Sequence, residues 1–141
     1  MTRNEAREIM MQILFELDAA KIIENDTSED KSEARNKAAE LAKDRLPGAH
    51  ADRGAELFDK IISSISEIDE KINTHSTKWK TTRMPKVDLA IMRLACGEIS
   101  YCDDIPEAVT VNEAINLAKK FSTDNSARFI HGVLGSITKN D

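Results

Sequence analysis

The stretch Phe58-Asp59-Lys60-Ile61-Ile62-Ser63-Ser64-Ile65-Ser66-Glu67-Ile68-Asp69-Glu70-Lys71-Ile72 decides the fold class. Its large apolar residues, Phe58, Ile61, Ile62, Ile65, Ile68 and Ile72, recur at steps of three and four, with charged and hydroxyl side chains between them. That period lines the apolar set along one side of a helix, whereas strict alternation would have meant a strand. The spacing predicts one helix through this stretch.

The same period extends outward in both directions. Upstream, Ala6, Ile9, Met10, Ile13, Leu14 and Leu17 form a stripe preceded by Thr2-x-x-Glu5, the pattern of a capping box. A weaker stripe through Ala34, Ala38, Leu41, Ala42 and Leu46 opens at Thr27-x-x-Asp30 and stops at Pro47-Gly48. Downstream, Pro85 suits the first turn of a helix carrying Val87, Ala90, Ile91, Leu94 and Ala95, because a missing amide costs nothing there. Asp103-Asp104-Ile105-Pro106 ends it. Thr110-x-x-Glu113 then reads as another capping box ahead of Val111, Ala114, Ile115, Ala118 and Phe121, and a last helix runs from about Asn125 through Phe129, Ile130, Val133, Leu134 and Ile137. With no strand alternation and no internal repeat, the expected architecture is an all-α bundle, read as one domain over residues 1–141.

Composition agrees. The 141 residues are 40% apolar and 32% charged, with a net charge of −5, which suits a globular domain and excludes collagen and coiled-coil classes. Aromatics at 4%, five glycines and three prolines are too few for a β-sandwich with its frequent tight turns. No run approaches the roughly 18 apolar residues of a membrane span, and Thr2-Arg3-Asn4-Glu5 is no signal peptide, so a cytoplasmic protein with no membrane partner is expected. Cys96 and Cys102 lack zinc spacing and read as reduced thiols.

Catalytic patterns are missing. His50, His75 and His131 are scattered without an HExxH, the glycines of Gly132-Val133-Leu134-Gly135 form no phosphate loop, and Ser136 reads as a solvated serine near a helix end. No enzyme activity, metal or cofactor is expected. Two features suit binding instead. Lys78, Lys80, Arg83, Lys86 and Arg93 against Asp88 make residues 78–93 a local +4, leaving −9 for the rest. Such an island fits a polyanion or an acidic protein surface, or is a solvated loop. The run Phe121-Ser122-Thr123-Asp124-Asn125-Ser126, followed by Arg128 and Phe129, offers hydroxyls, an amide and aromatic rings at a helix start, where a phosphate or base can be held. The alternative there is structural, with Asp124 or Asn125 capping the helix and both phenylalanines in the core.

Three quoted runs carry a resemblance that spans nearly the whole chain and is weakest at residues 22–56. They are Val87-Asp88-Leu89-Ala90-Ile91-Met92-Arg93-Leu94-Ala95-Cys96-Gly97-Glu98-Ile99 with Ile105-Pro106; Val111-Asn112-Glu113-Ala114-Ile115-Asn116-Leu117-Ala118-Lys119-Lys120-Phe121; and Ser126-Ala127-Arg128-Phe129-Ile130-His131-Gly132-Val133-Leu134. Together with Ala6-Arg7-Glu8 and Gln12-Ile13-Leu14-Phe15, they resemble the NusB family of transcription antitermination factors. The resemblance implies about seven helices in two packed sub-bundles. It implies binding of boxA RNA in ribosomal RNA transcripts together with the ribosomal protein NusE, within the elongation complex of RNA polymerase and without catalysis. The implied RNA surface is Arg3, Arg7, Phe121, Asn125, Ser126, Arg128 and Phe129; the implied partner face lies on the C-terminal bundle, with Lys86, Arg93 and Glu98 as its candidates. Self-association as a homodimer is left open.

The chain departs from the family pattern in three ways: Asn4 and Glu5 interrupt a usually arginine-rich arm, His131 stands where asparagine is usual, and Gly97 where an aromatic is usual. The depleted arm keeps a second expectation alive, a helical protein-protein adaptor that does not bind RNA.

Overall fold

The structure, a computed structural model, describes residues 1–139, so residues 140 and 141 of the expected domain lie outside it. Among the described residues there are eight helices and no strand: α1 (Arg3–Ala19), α2 (Ile22–Asn25), α3 (Ser32–Arg45), α4 (Gly48–Ser63), α5 (Ile65–His75), α6 (Lys86–Tyr101), α7 (Glu107–Phe121) and α8 (Asp124–Lys139). They form two compact units, one from Met1 to Ser64 and one from Ile65 onward. None of these helices is long and apolar enough to cross a membrane.

The boundary falls inside the stretch read as one helix. The stripe from Phe58 to Ile72 is interrupted at Ser64, where φ −113° and ψ 24° leave the helical region. The Ser63 and Ser64 hydroxyls both donate to the Lys60 carbonyl, which the Ser64 amide also reaches at 3.2 Å, so side-chain bonds compete with the last rung of the helical ladder at this point. The apolar period runs through the break without a change of phase, which is why periodicity alone does not reveal it.

In the first unit, α1 is capped as expected: the Glu5 amide donates to Thr2 Oγ1 at 3.1 Å and the Thr2 amide to Glu5 Oε1 at 3.4 Å. Helix α3 meets α4 and α1 through alanines 34, 38 and 42, all fully buried. Small residues at i, i+4 and i+8 let the backbones approach, and a Cβ on Gly54 of α4 would come within 2.9 Å of Leu46 Cδ1. The helix start expected at Thr27-x-x-Asp30 is not used, and α3 begins at Ser32. Asp26 does the capping from further back: its buried carboxylate accepts the Ala34 amide at 2.8 Å and the Ser28 amide at 2.9 Å. It also accepts the Ser28 hydroxyl.

The Ser28 hydroxyl first, and then the Ala34 amide, hold the Asp26 carboxyl below its ordinary value of 3.8. A depressed carboxyl stabilises the fold above the unfolded value and loses that contribution as the pH falls through the folded one. Thermal melts of the chain should therefore weaken below about pH 3.8, and Asp26→Asn should be less stable at neutral pH while losing part of that acid dependence. Equal acid sensitivity in both proteins would contradict this role.

The second unit is built around α6, which contacts α5, α7 and α8 and whose residues 88–98 are all buried. A helix surrounded on every side needs partners for its polar residues. Arg93 donates to both carboxylate oxygens of Asp69, at 2.9 and 2.7 Å, and Glu98 accepts the Thr110 hydroxyl at 3.0 Å. Thr110 is thus not the cap of α7 but lies one turn inside it, the helix having started at Glu107 behind Pro106. Pro85 likewise precedes α6 as its N-cap. Cys96 and Cys102 are free thiols.

Candidate nucleic-acid interface

The expected RNA residues fall in both units. In the first, Arg3 is exposed at the start of α1. Arg7 is 5% exposed, and its guanidinium donates to Asn4 Oδ1 at 2.7 Å. The asparagine that interrupts the arm therefore also holds one of its two arginines, and the burial of that arginine leaves less positive charge at the surface of this segment.

In the second unit, α7 ends at Phe121 and α8 begins three residues later. Neither Asp124 nor Asn125 caps α8; Thr123 does, its Oγ1 accepting the Ser126 amide at 3.0 Å. That correction matters chemically, because Asn125 is left exposed on the first turn, where its Oδ1 accepts from the Arg128 guanidinium. The pair presents an amide and a planar cation side by side. Asp124 in the same turn complements the positive helix end and so opposes an anion there.

Ser126 faces the other way. It is 4% exposed, and its hydroxyl donates at 2.7 Å to Oδ2 of the fully buried Asp88 in α6. Asp88 Oδ1 has no hydrogen-bond partner among the described residues. This serine fixes the rotation of α8 against α6 and so aims its exposed neighbours.

The two phenylalanines are half-buried, neither core nor fully open. Lys120 Nζ lies 5.3 Å from the Phe121 ring centroid. The Phe129 ring meets the indole of Trp79 edge to face, with centroids 5.1 Å apart and planes at 73°. Trp79 belongs to the segment between α5 and α6, fifty positions earlier in the chain. Further along α8, Arg128, His131, Gly132, Gly135, Ser136 and Lys139 line an open groove of about 590 Å³. Ser136 is half-buried within that helix and hydrogen-bonded to His75 Nδ1 at 2.8 Å, rather than solvated near its end.

The candidate partner residues divide differently. Lys86 is exposed at the first position of α6. Arg93 and Glu98, 9% and 4% exposed, are occupied by the internal bonds to Asp69 and Thr110. Their surroundings make them supports of the second unit, and burial of this kind is invisible where every residue around them is read as one amphipathic helix.

This arrangement, an exposed amide and cation at the start of a helix beside half-open rings, sits within a chain whose residues 4–139 match the family model described as NusB family. The chain belongs to the NusB family. It is 38% identical over 139 residues to the transcription antitermination protein NusB of Clostridium novyi strain NT, covering 99% of both chains. It is 43% identical over 140 residues to that of Macrococcus caseolyticus strain JCSC5402, covering 99% of this chain and 98% of the other. The solved structure of T. maritima NusB aligns with 99% of this chain and 92% of its own, with a TM-score of 0.82 and 27% identity. A structure of antitermination factors NusB and NusE in complex with dsRNA shares the NusB fold, with a TM-score of 0.75 and 22% identity over 99% of this chain and 97% of that one.

Proposed function

We propose that the chain is a transcription antitermination factor which binds boxA RNA together with the ribosomal protein NusE and acts by binding, without catalysis. The family match over residues 4–139 carries the reading, since the relatives named above are antitermination proteins over the same residues. The setting is the cytoplasmic elongation complex of RNA polymerase, and residues 1–141 serve as one RNA-binding module. In this reading Arg3, Asn125 and Arg128 touch RNA, Phe121 and Phe129 offer ring surface, and Arg7 and Ser126 position their neighbours. NusE binds the C-terminal unit, with Lys86 at the surface and Arg93 and Glu98 supporting the helix beneath.

A labelled boxA RNA titrated with this protein, alone and with NusE, at two salt concentrations tests it. Tighter binding in the presence of NusE, weakening with salt, is the expected result. Binding of NusE with no RNA shift would instead favour the protein-only adaptor, for which the engagement of Arg7 by Asn4 is the specific support. Arg128→Ala should weaken RNA binding by about 1 kcal/mol, roughly fivefold, while the melting temperature stays the same, because the side chain is exposed. Early unfolding with normal RNA affinity would reassign Arg128 to structure.

A further inference from the structure

The arm and the start of α8, taken each by itself, are poor in cations: Arg7 is buried, and Asp124 sits in the first turn of α8. The basic island of the sequence lies elsewhere, in the segment between α5 and α6 and the first residue of α6, with Lys78, Lys80, Arg83 and Lys86 all exposed. The fold brings that segment to α8 through the contact of Trp79 with Phe129.

The segment is built, not loosely solvated. Asn73 at the end of α5 accepts the Thr81 amide at 2.8 Å and donates to Thr81 Oγ1 at 3.2 Å. The buried Ser76 hydroxyl donates to the Trp79 carbonyl. Lys80 Nζ turns inward to the carbonyls of Asn73 and Ser76 at 2.9 and 3.4 Å, which spends its charge on the backbone. These bonds fix the backbone on both sides of Trp79 and leave Lys78 pointing outward. The Lys78 ammonium stands 4.3 Å from the centroid of the indole, so that ring face is within reach of an exposed cation and hence of a ligand from the same side.

We propose that residues 78–86 extend the RNA surface from Phe129, with Trp79 stacking on an unpaired base while Lys78 and Arg83 neutralise phosphates. A base, unlike an ammonium, has a π-face that stacks on the whole indole ring, and the displaced Lys78 then finds a phosphate next to the stacked nucleotide. The chemistry required of the ligand is that of single-stranded RNA: an exposed aromatic face flanked by anionic groups. This inference rests on the RNA-binding reading above, and it moves the basic segment from the protein partner to the nucleic acid.

Trp79 is the only tryptophan of the chain, so 5-fluorotryptophan gives this protein one ¹⁹F resonance, unaffected by any tryptophan of NusE. That resonance should shift when boxA RNA is added and stay in place when NusE alone is added. Anisotropy of the labelled RNA, measured in the same samples, reports binding independently. In the double variant Lys78→Gln, Arg83→Gln, the slope of log K against log salt should fall by about 1.4, about 0.7 for each lost cation, with an unchanged circular dichroism spectrum. RNA that binds by anisotropy while the resonance does not move, or with the salt slope of the variant unchanged, overturns this proposal and leaves the RNA reading standing. A resonance shifted by NusE alone assigns the segment to the protein partner and overturns it as well. No anisotropy change with or without NusE removes both.

Discussion

Phe58→Ala is expected to lower the stability of the first unit by about 3–5 kcal/mol, the largest effect of any single truncation argued from this structure. Phe58 is completely buried in α4, alongside Ile61 and Ile62, which are also sealed from solvent. Removing the ring takes away its burial energy and leaves a cavity that helices held close by Ala34, Ala38, Ala42 and Gly54 have little freedom to fill. Against a typical total stability of about 5–15 kcal/mol, such a loss leaves a unit of this size barely folded at physiological temperature. Denaturant unfolding followed by far-ultraviolet circular dichroism should show the midpoint falling sharply, with Phe58→Leu costing less than about 1.5 kcal/mol because it keeps most of the volume. Tryptophan fluorescence adds resolution, since Trp79 belongs to the second unit and reports that unit alone. A loss below about 1 kcal/mol for Phe58→Ala would mean that α4 collapses into the space, and would put the rigidity of the first unit in doubt.

What the sequence made readable follows from what period and punctuation can encode. The apolar stripes of α1, α4, α5, α6 and α8 and the capping box at Thr2 and Glu5 are local patterns, and each survives into the structure. Features set by distant residues did not announce themselves. Asp26 caps α3 across eight positions, Thr110 bonds Glu98 across the α6–α7 corner, and Trp79 meets Phe129 across fifty positions; no spacing rule reaches that far. A helix start at Thr27-x-x-Asp30 and a capping box at Thr110 were plausible by residue type, yet α3 begins only at Ser32, with the buried Asp26 carboxyl accepting the Ala34 amide, and the buried Glu98 carboxyl takes the Thr110 hydroxyl. At the candidate site, residue type and family likeness pointed to the turn between α7 and α8. Which side chains look outward was decided by packing: Arg128 and Asn125 are exposed, while Arg7 is buried and Ser126 is turned in by its bond to Asp88. The lone tryptophan inside the basic island was the one available sign that this segment holds more than a solvated loop.

Ser126→Ala separates the two kinds of site residue most sharply. The serine hydroxyl is a donor to Asp88 Oδ2, and Asp88 Oδ1 already lacks a partner among the described residues. Removing the hydroxyl deprives a fully buried carboxyl of this bond, and a buried group stranded in that way costs about 1–3 kcal/mol, more when it is charged. The expected loss is therefore about 2–3 kcal/mol of stability in the second unit, seen as an earlier melt of the Trp79 fluorescence. RNA affinity should fall along with it, because Asn125, Arg128 and Phe129 ride on the helix that this bond orients. The contrast with Arg128→Ala is the informative part: that variant should lose affinity at full stability, whereas Ser126→Ala loses both and should regain affinity when the temperature is lowered enough to restore the fold. Replacement by threonine keeps the hydroxyl, and so tests the bond itself. If Ser126→Thr restored stability without restoring RNA binding, the added methyl would be obstructing the surface, and Ser126 would belong among the residues that touch RNA.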